Sequence, residues 1–161
     1  MEQKVKIHIA ADWEEDQSAV NQLYKWNREI NEKFDMSDDS ELADLLDGDW
    51  ACSVKAVVKN KIVESDVFVL VVGDDTISVR DGSCPLCENY RSFSGNCAHG
   101  RTADKRSFIE FECELAVEAE KKIVVIYKDA FIDKAKCPLA VRELGQHISV
   151  SEVEEEKLFM L

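Results

Sequence analysis

Hydrophobic and polar positions change period several times along the chain. Val5, Ile7 and Ile9 alternate with Lys4, Lys6 and His8, then run into Ala10 and Ala11. Alternation with a period of two predicts a strand that merges into a buried end. Asp12 follows as a helix-capping candidate. Ala19, Val20, Leu23, Trp26 or Asn27, Ile30 and Phe34 recur at helical spacing and predict an amphipathic helix of about five turns. Phe34 to Met36 also reads as a short strand. Val54, Val57, Val58 and Ile62 mark a second helix. Val67 to Val72 is an unbroken apolar run ended by Gly73, the pattern of a strand covered on both faces in a parallel sheet. Ile123 to Tyr127 repeats it, after a helix over about 107–120. A weak last strand is expected at His147 to Val150, and the acidic tail from Ser151 to Lys157 has helical character.

Strands that alternate with helices predict an α/β fold, a doubly wound parallel sheet with helices on both faces. Ligands of such sheets bind at the carboxyl ends of the strands. There the chain offers Ala11, Asp12 and Trp13 after the first strand and Gly73, Asp74 and Asp75 after the third. Neither GxGxxG nor GxxxxGK[ST] occurs, which disfavours a Rossmann or Walker nucleotide site.

Composition narrows the partners. The 161 residues fit one domain with a single core, and a net charge of −13 argues against nucleic acid and anionic membranes. No run reaches the roughly 18 to 20 apolar residues of a membrane span, and the N-terminus lacks a signal-peptide pattern. The expectation is a cytoplasmic protein with reduced thiols, so the six Cys need an explanation other than disulfides.

The connection over 73–106 is too long for an ordinary strand-to-helix loop and holds four of the six Gly. It also holds Cys84-Pro-Leu-Cys87 and Cys97-Ala-His99. A C-x2-C knuckle presents two thiolates to one ion, and Cys97 with His99 would close a Cys3His structural zinc site. The second pair is tighter than usual, which leaves Cys113 or Cys52 as alternative fourth ligands. Ordinary loop thiols and a redox C-x-x-C are the competing readings.

The helix after this insertion carries an anomaly. At about 100° per residue, Phe108, Phe111, Leu115, Ala116, Ala119 and Ile109 form one apolar stripe. Glu110, Glu114 and Glu118 lie opposite it or at its edge. Glu112 falls in its middle. An unpartnered carboxylate buried there would cost several kcal/mol. It needs a basic or capping partner, a proton, or a ligand cleft.

Three stretches carry a family resemblance. Lys4 to Ala11 followed by Asp16 is similar to the opening strand and first helix of TIR domains. Ile62 to Val72 resembles the end of their second helix and their third strand. Phe108 to Ala116, then Glu120 to Ile126, resembles their W-V-x-x-E helix and fourth strand. The chain thereby resembles the TIR-like domains of Thoeris antiphage defence, of the ThsB type. The resemblance implies a flavodoxin-like sheet of about five strands, one domain over 1–161 with 73–106 inserted in it, and self-association. Where such a domain is enzymatic, it also implies NAD as substrate, cleaved at its N-glycosidic bond to give nicotinamide and ADP-ribose or a cyclic ADP-ribose signal. Glu112 maps to the family's catalytic carboxylate. Ala11, Asp12, Trp13 and Trp50 are the nucleotide-binding candidates, the tryptophans through stacking. The turn Ala10-Ala11 departs from the family's common Ser-Tyr. The acidic segment from Ser37 to Asp49 is expected to face solvent, because it would repel a pyrophosphate. A non-catalytic adaptor acting by self-association is the rival reading.

Overall fold

The computed structural model describes residues 3–40 and 51–154. The elements run β1 (Val5–Ala10), α1 (Gln17–Glu29), β2 (Phe34–Asp38), α2 (Ala51–Glu64) and β3 (Val67–Val72). A short hairpin, β4 (Tyr90–Arg91) and β5 (Asn96–Cys97), precedes α3 (Phe108–Glu118), β6 (Lys122–Tyr127) and β7 (Gln146–Ser149). The main sheet has the order β2-β1-β3-β6-β7, and all of its pairings are parallel. This is the flavodoxin-like order, in which the chain reverses direction between β1 and β3.

Side-chain parity divides the core. Ile7, Ile9 and Ala11 pack with Val67, Val69 and Val71 against α1. Ala10 packs with Phe68, Leu70 and Val72 against α2 and α3. All six residues of β3 are buried, as its unbroken apolar run predicts. His8 shares parity with Ala10 and stands opposite Phe68 in register. It therefore occupies a core position on the α2–α3 face.

Four local expectations are corrected. α1 ends at Glu29, short of the predicted five turns, and Phe34 opens β2 instead. The reversal uses Asn31 and Glu32 at positive φ. It is clamped by the buried Asn27 amide, which donates to Phe34 O at 3.0 Å and accepts from Phe34 N at 3.1 Å. Asp12 does not cap α1. Its carboxylate accepts from Glu14 N at 3.2 Å, a turn intervenes, and Asp16 occupies the position before the helix. After β7 the chain makes a 3-10 turn over Val150–Glu152, where a helix was expected. Residues 155–157 of that tail lie outside the described residues. Finally, the start of the acidic segment from Ser37 to Asp49 does not simply face solvent, and residues 41–49 lie outside the described residues. Asp38 accepts from Tyr24 Oη at 2.6 Å, and Asp39 is buried.

The connection over 73–106 carries only a 3-10 turn (Cys84–Leu86) and the two-residue strands of the hairpin. Polar anchors hold its ends. Phe108 N donates to Asp81 O at 2.7 Å, and Cys84 N donates to Asp104 O at 2.7 Å. The buried Lys55 of α2 donates to Arg106 O at 2.8 Å and pairs with Asp104 at 3.1 Å. Burial would raise the Asp104 pKa, but Arg106 and Lys55 outweigh it and hold the carboxyl down to about 2. At the far end, Gly73 leaves space for a neighbour: a Cβ there would lie 2.0 Å from Asp16 Oδ1.

Candidate active site

α3 carries Glu112 into the interior. Ser107 caps the helix, its hydroxyl accepting from Glu110 N at 3.1 Å while the Glu110 carboxylate accepts from Ser107 N at 3.3 Å. Arg80 and Arg106 bind the outward Glu110 and Glu114 at 2.5 and 2.6 Å. The face bearing Ile109, Cys113, Leu115 and Ala116 then turns inward with Glu112 on it. The stripe found on the wheel is thus the packing face of the helix.

The partner comes from the sheet. His8 Nε2 is 3.1 Å from Glu112 Oε2 and 3.3 Å from Asp39 Oδ2. Asp39 stands directly after β2, the strand paired with β1. The three residues are 0%, 3% and 7% exposed for His8, Glu112 and Asp39. The imidazole stacks on Phe68, with centroids 6.3 Å apart, and its Nδ1 has no hydrogen-bond partner among the described residues. Asp39 lies within 3.3 Å of His8 and 4.0 Å of Lys61 Nζ, yet neither of its oxygens makes a well-directed hydrogen bond to the described residues.

Two carboxyls and an imidazole buried side by side titrate as one system. Burial is the main force on Glu112, the negative charge of Asp39 adds to it, and His8 only partly offsets them. The Glu112 carboxyl is pushed up to about 8. Burial opposes charge on His8, but the adjacent carboxyls of Asp39 and Glu112 outweigh it and lift the imidazole to about 9. The cluster therefore holds a carboxyl that gains or loses its proton near neutral pH, which suits acid–base work or charge stabilisation. The same three ligand atoms lie within 4.8 Å of one another. One imidazole and two carboxylates could also hold a divalent ion.

The nucleotide-binding candidates stand elsewhere along the carboxyl edge. Ala11 is buried in the cluster on the α1 face, and Trp13 packs against that same cluster. Asp12 is buried in the turn before α1. The structure thus puts these three after β1, on the α1 side, whereas Glu112 lies under α3. Trp50 lies outside the described residues. Of the metal candidates, Cys84, Cys87 and Cys97 line one small opening together with Cys52. His99 instead meets Asn89 Oδ1 at 3.0 Å through Nε2. Cys113 is fully buried in the sheet-facing core, and burial pushes its thiol well up.

His8 and Asp39 were missed from the sequence. His8 looked like the polar half of a two-period alternation. However, β1 is an inner strand, and a parallel sheet covered on both sides leaves no solvent face for it. The available signal was an ionisable residue in a strand already placed at the centre of the sheet. Asp39 was hidden in an acidic run, where only its position just past a strand end set it apart.

No curated protein sequence matches the chain. A solved structure, the Clostridium botulinum CMP N-glycosidase BcmB, is similar over 89% of this chain and 85% of its own, at 14% identity and a TM-score of 0.47. A likeness of that degree carries no weight for the chemistry. No described helix is long and apolar enough to cross a membrane. The family model described as Thoeris protein ThsB, TIR-like domain, matches residues 8–81, a stretch that contains His8 and Asp39 and stops before Glu112. Over that stretch, a little under half of the chain, the sequence is similar to the ThsB TIR-like family.

Proposed function

We propose that this protein cleaves the N-glycosidic bond of NAD or a related nucleotide, with Glu112 as the carboxylate at the reacting ribose. The observation that carries the reading is the His8–Glu112 contact, which keeps a carboxyl on an apolar helix face with its proton exchange tuned to neutral pH. Nicotinamide leaves as a neutral group, and positive charge develops on the ribose. An ionised Glu112 would stabilise that charge and hold the ribose hydroxyls. His8, held cationic by two carboxyls, would steady the ionised state of Glu112 once its proton has left. Asp39 would tie His8 in place. Capture of the ribose by water gives ADP-ribose, and capture by a base nitrogen gives a cyclic product. Ala11, Asp12 and Trp13 are the candidate walls for the nucleotide.

The burial of Glu112 favours a second reading. A carboxylate only 3% exposed also fits a polar core element in a non-catalytic, self-associating TIR-like module. One experiment separates the two. The full chain is incubated with NAD, alone and with molecular crowder, and nicotinamide release is followed beside Glu112→Gln. Release by the native chain that is lost in the variant supports the enzyme. Release by neither supports the module, and equal release by both removes Glu112 from the chemistry.

A further inference from the structure

We propose that Cys52, Cys84, Cys87 and Cys97 form a four-thiolate zinc site that staples the insertion to α2. The inference is independent of the N-glycosidase reading.

The ligands come from three pieces of chain that have no other reason to share sulfur. Cys84 and Cys87 flank the 3-10 turn over Cys84–Leu86, with Cys87 N donating to Cys84 O at 2.9 Å. Cys97 lies on β5, paired with Tyr90 of β4. Cys52 lies on α2 and is separated from Cys84 by the whole of β3 in sequence. All four cysteines line one opening of about 20 Å³, room for one ion or one water and little else. Each is partly accessible, whereas Cys113 and Cys137 are buried in the core.

The surroundings suit anionic sulfur. Asp104 N donates to Cys84 Sγ at 3.0 Å, and Arg101 Nη1 donates to Cys52 Sγ at 2.7 Å. A zinc ion with four thiolates carries a net charge of −2, and donors to sulfur offset it. Lys55, one helical turn beyond Cys52, is a buried cation on an adjoining cleft, which Cys52, Asp104 and Cys84 also line. Cys52, Lys55, Ala56 and Lys59 all line that cleft at helical spacing, so α2 presents one continuous face to the insertion.

The insertion also needs a staple. Its strands are two residues long, and Leu86 and Phe93 are exposed, so burial of apolar surface contributes little to its order. Among the described residues, only His8, Asp39 and Glu112 bring three ligand atoms within 4.8 Å of one another. No three of the four sulfurs lie that close together, so binding would draw them inward. Four S–H protons leave as four Zn–S bonds form, with no change of oxidation state.

The test uses the full chain, purified without chelator and assayed for zinc by mass spectrometry. About one zinc per chain is expected in the native protein and in His99→Ala. Cys52→Ser should retain less than about a tenth of that. The proposal is overturned if the native chain holds no zinc after exposure to zinc salt, if Cys52→Ser keeps its full complement, or if His99→Ala loses it. Because Cys52→Ser could fail to fold, the native chain is also loaded with cobalt(II). A visible spectrum typical of four sulfur ligands is expected, and one typical of three sulfurs and an imidazole overturns the role of Cys52.

Discussion

The cluster around His8 and the ring of thiols are built on opposite plans. In the first, a strand, a strand end and a helix press three ionisable groups together inside the core, with His8 3.1 Å from Glu112 and 3.3 Å from Asp39. In the second, α2, a turn and a hairpin set four cysteines around an opening they do not fill. The sheet supplies the order of the first. The second has no sheet beneath it and depends on what occupies it. Perturbation should therefore show itself as altered protonation in one region and as loss of order in the other.

The largest expected effect is on activity. Glu112→Gln should lower nicotinamide release by at least about 100-fold, as removal of a group that stabilises transition-state charge does. Activity should also rise with pH towards about 8, as Glu112 gives up its proton, and fall again above about 9, as His8 loses its charge. A flat profile between pH 6 and 9 would separate the cluster from the chemistry.

Next comes stability. His8→Ala leaves two buried carboxyls without their cation and should cost about 3 kcal/mol or more in denaturant unfolding. The native chain should also lose stability as pH rises. Glu112 retains its proton to about 8 when folded, against an ordinary value of 4.5, so folding binds protons between those values. His8 does the same between 6.5 and about 9. Both slopes have the same sign, and Tm should fall from pH 6.5 to 9. Glu112→Gln should shallow that fall. A Tm that climbs over this range would contradict the cluster's assigned charges.

Smaller effects probe the insertion. Asp104 has its pKa lowered, so its contribution is present above about 4 and is lost as pH falls towards 2. Asp104→Asn should loosen the insertion, seen as faster proteolysis between Gly73 and Arg106, and leave the pH slope between 6.5 and 9 unchanged. The smallest effect is expected for Lys25→Ala. It breaks an exposed 4.0 Å pair with Glu29 and should change unfolding free energy by less than about 0.5 kcal/mol.

Much of the fold was legible because its signals are periodic. The runs Val67 to Val72 and Ile123 to Tyr127 could hardly be anything but strands buried on both faces. Glu112 was legible for the same reason, since a charge stands out against an apolar stripe. His8 and Asp39 were not, because each sat among residues of its own kind: His8 in a polar alternation, Asp39 in an acidic run. What singles them out is the arrangement of β2, β1 and α3 in space. The end of α1 was misjudged because Phe34 fits a helical period, and only the amide clamp from Asn27 shows that the chain has already turned back.

The close approach of Gly73 to Asp16 has a consequence for how such a sequence can change over time. No side chain fits at position 73 while the Asp16 carboxylate stands 2.0 Å from where its Cβ would be. A side chain at position 73 therefore requires the Asp16 carboxylate to swing away from its 3.5 Å approach to Lys128 Nζ, or residue 16 to be smaller. The two positions are thus coupled, and a change at one alters which residues the other can accept.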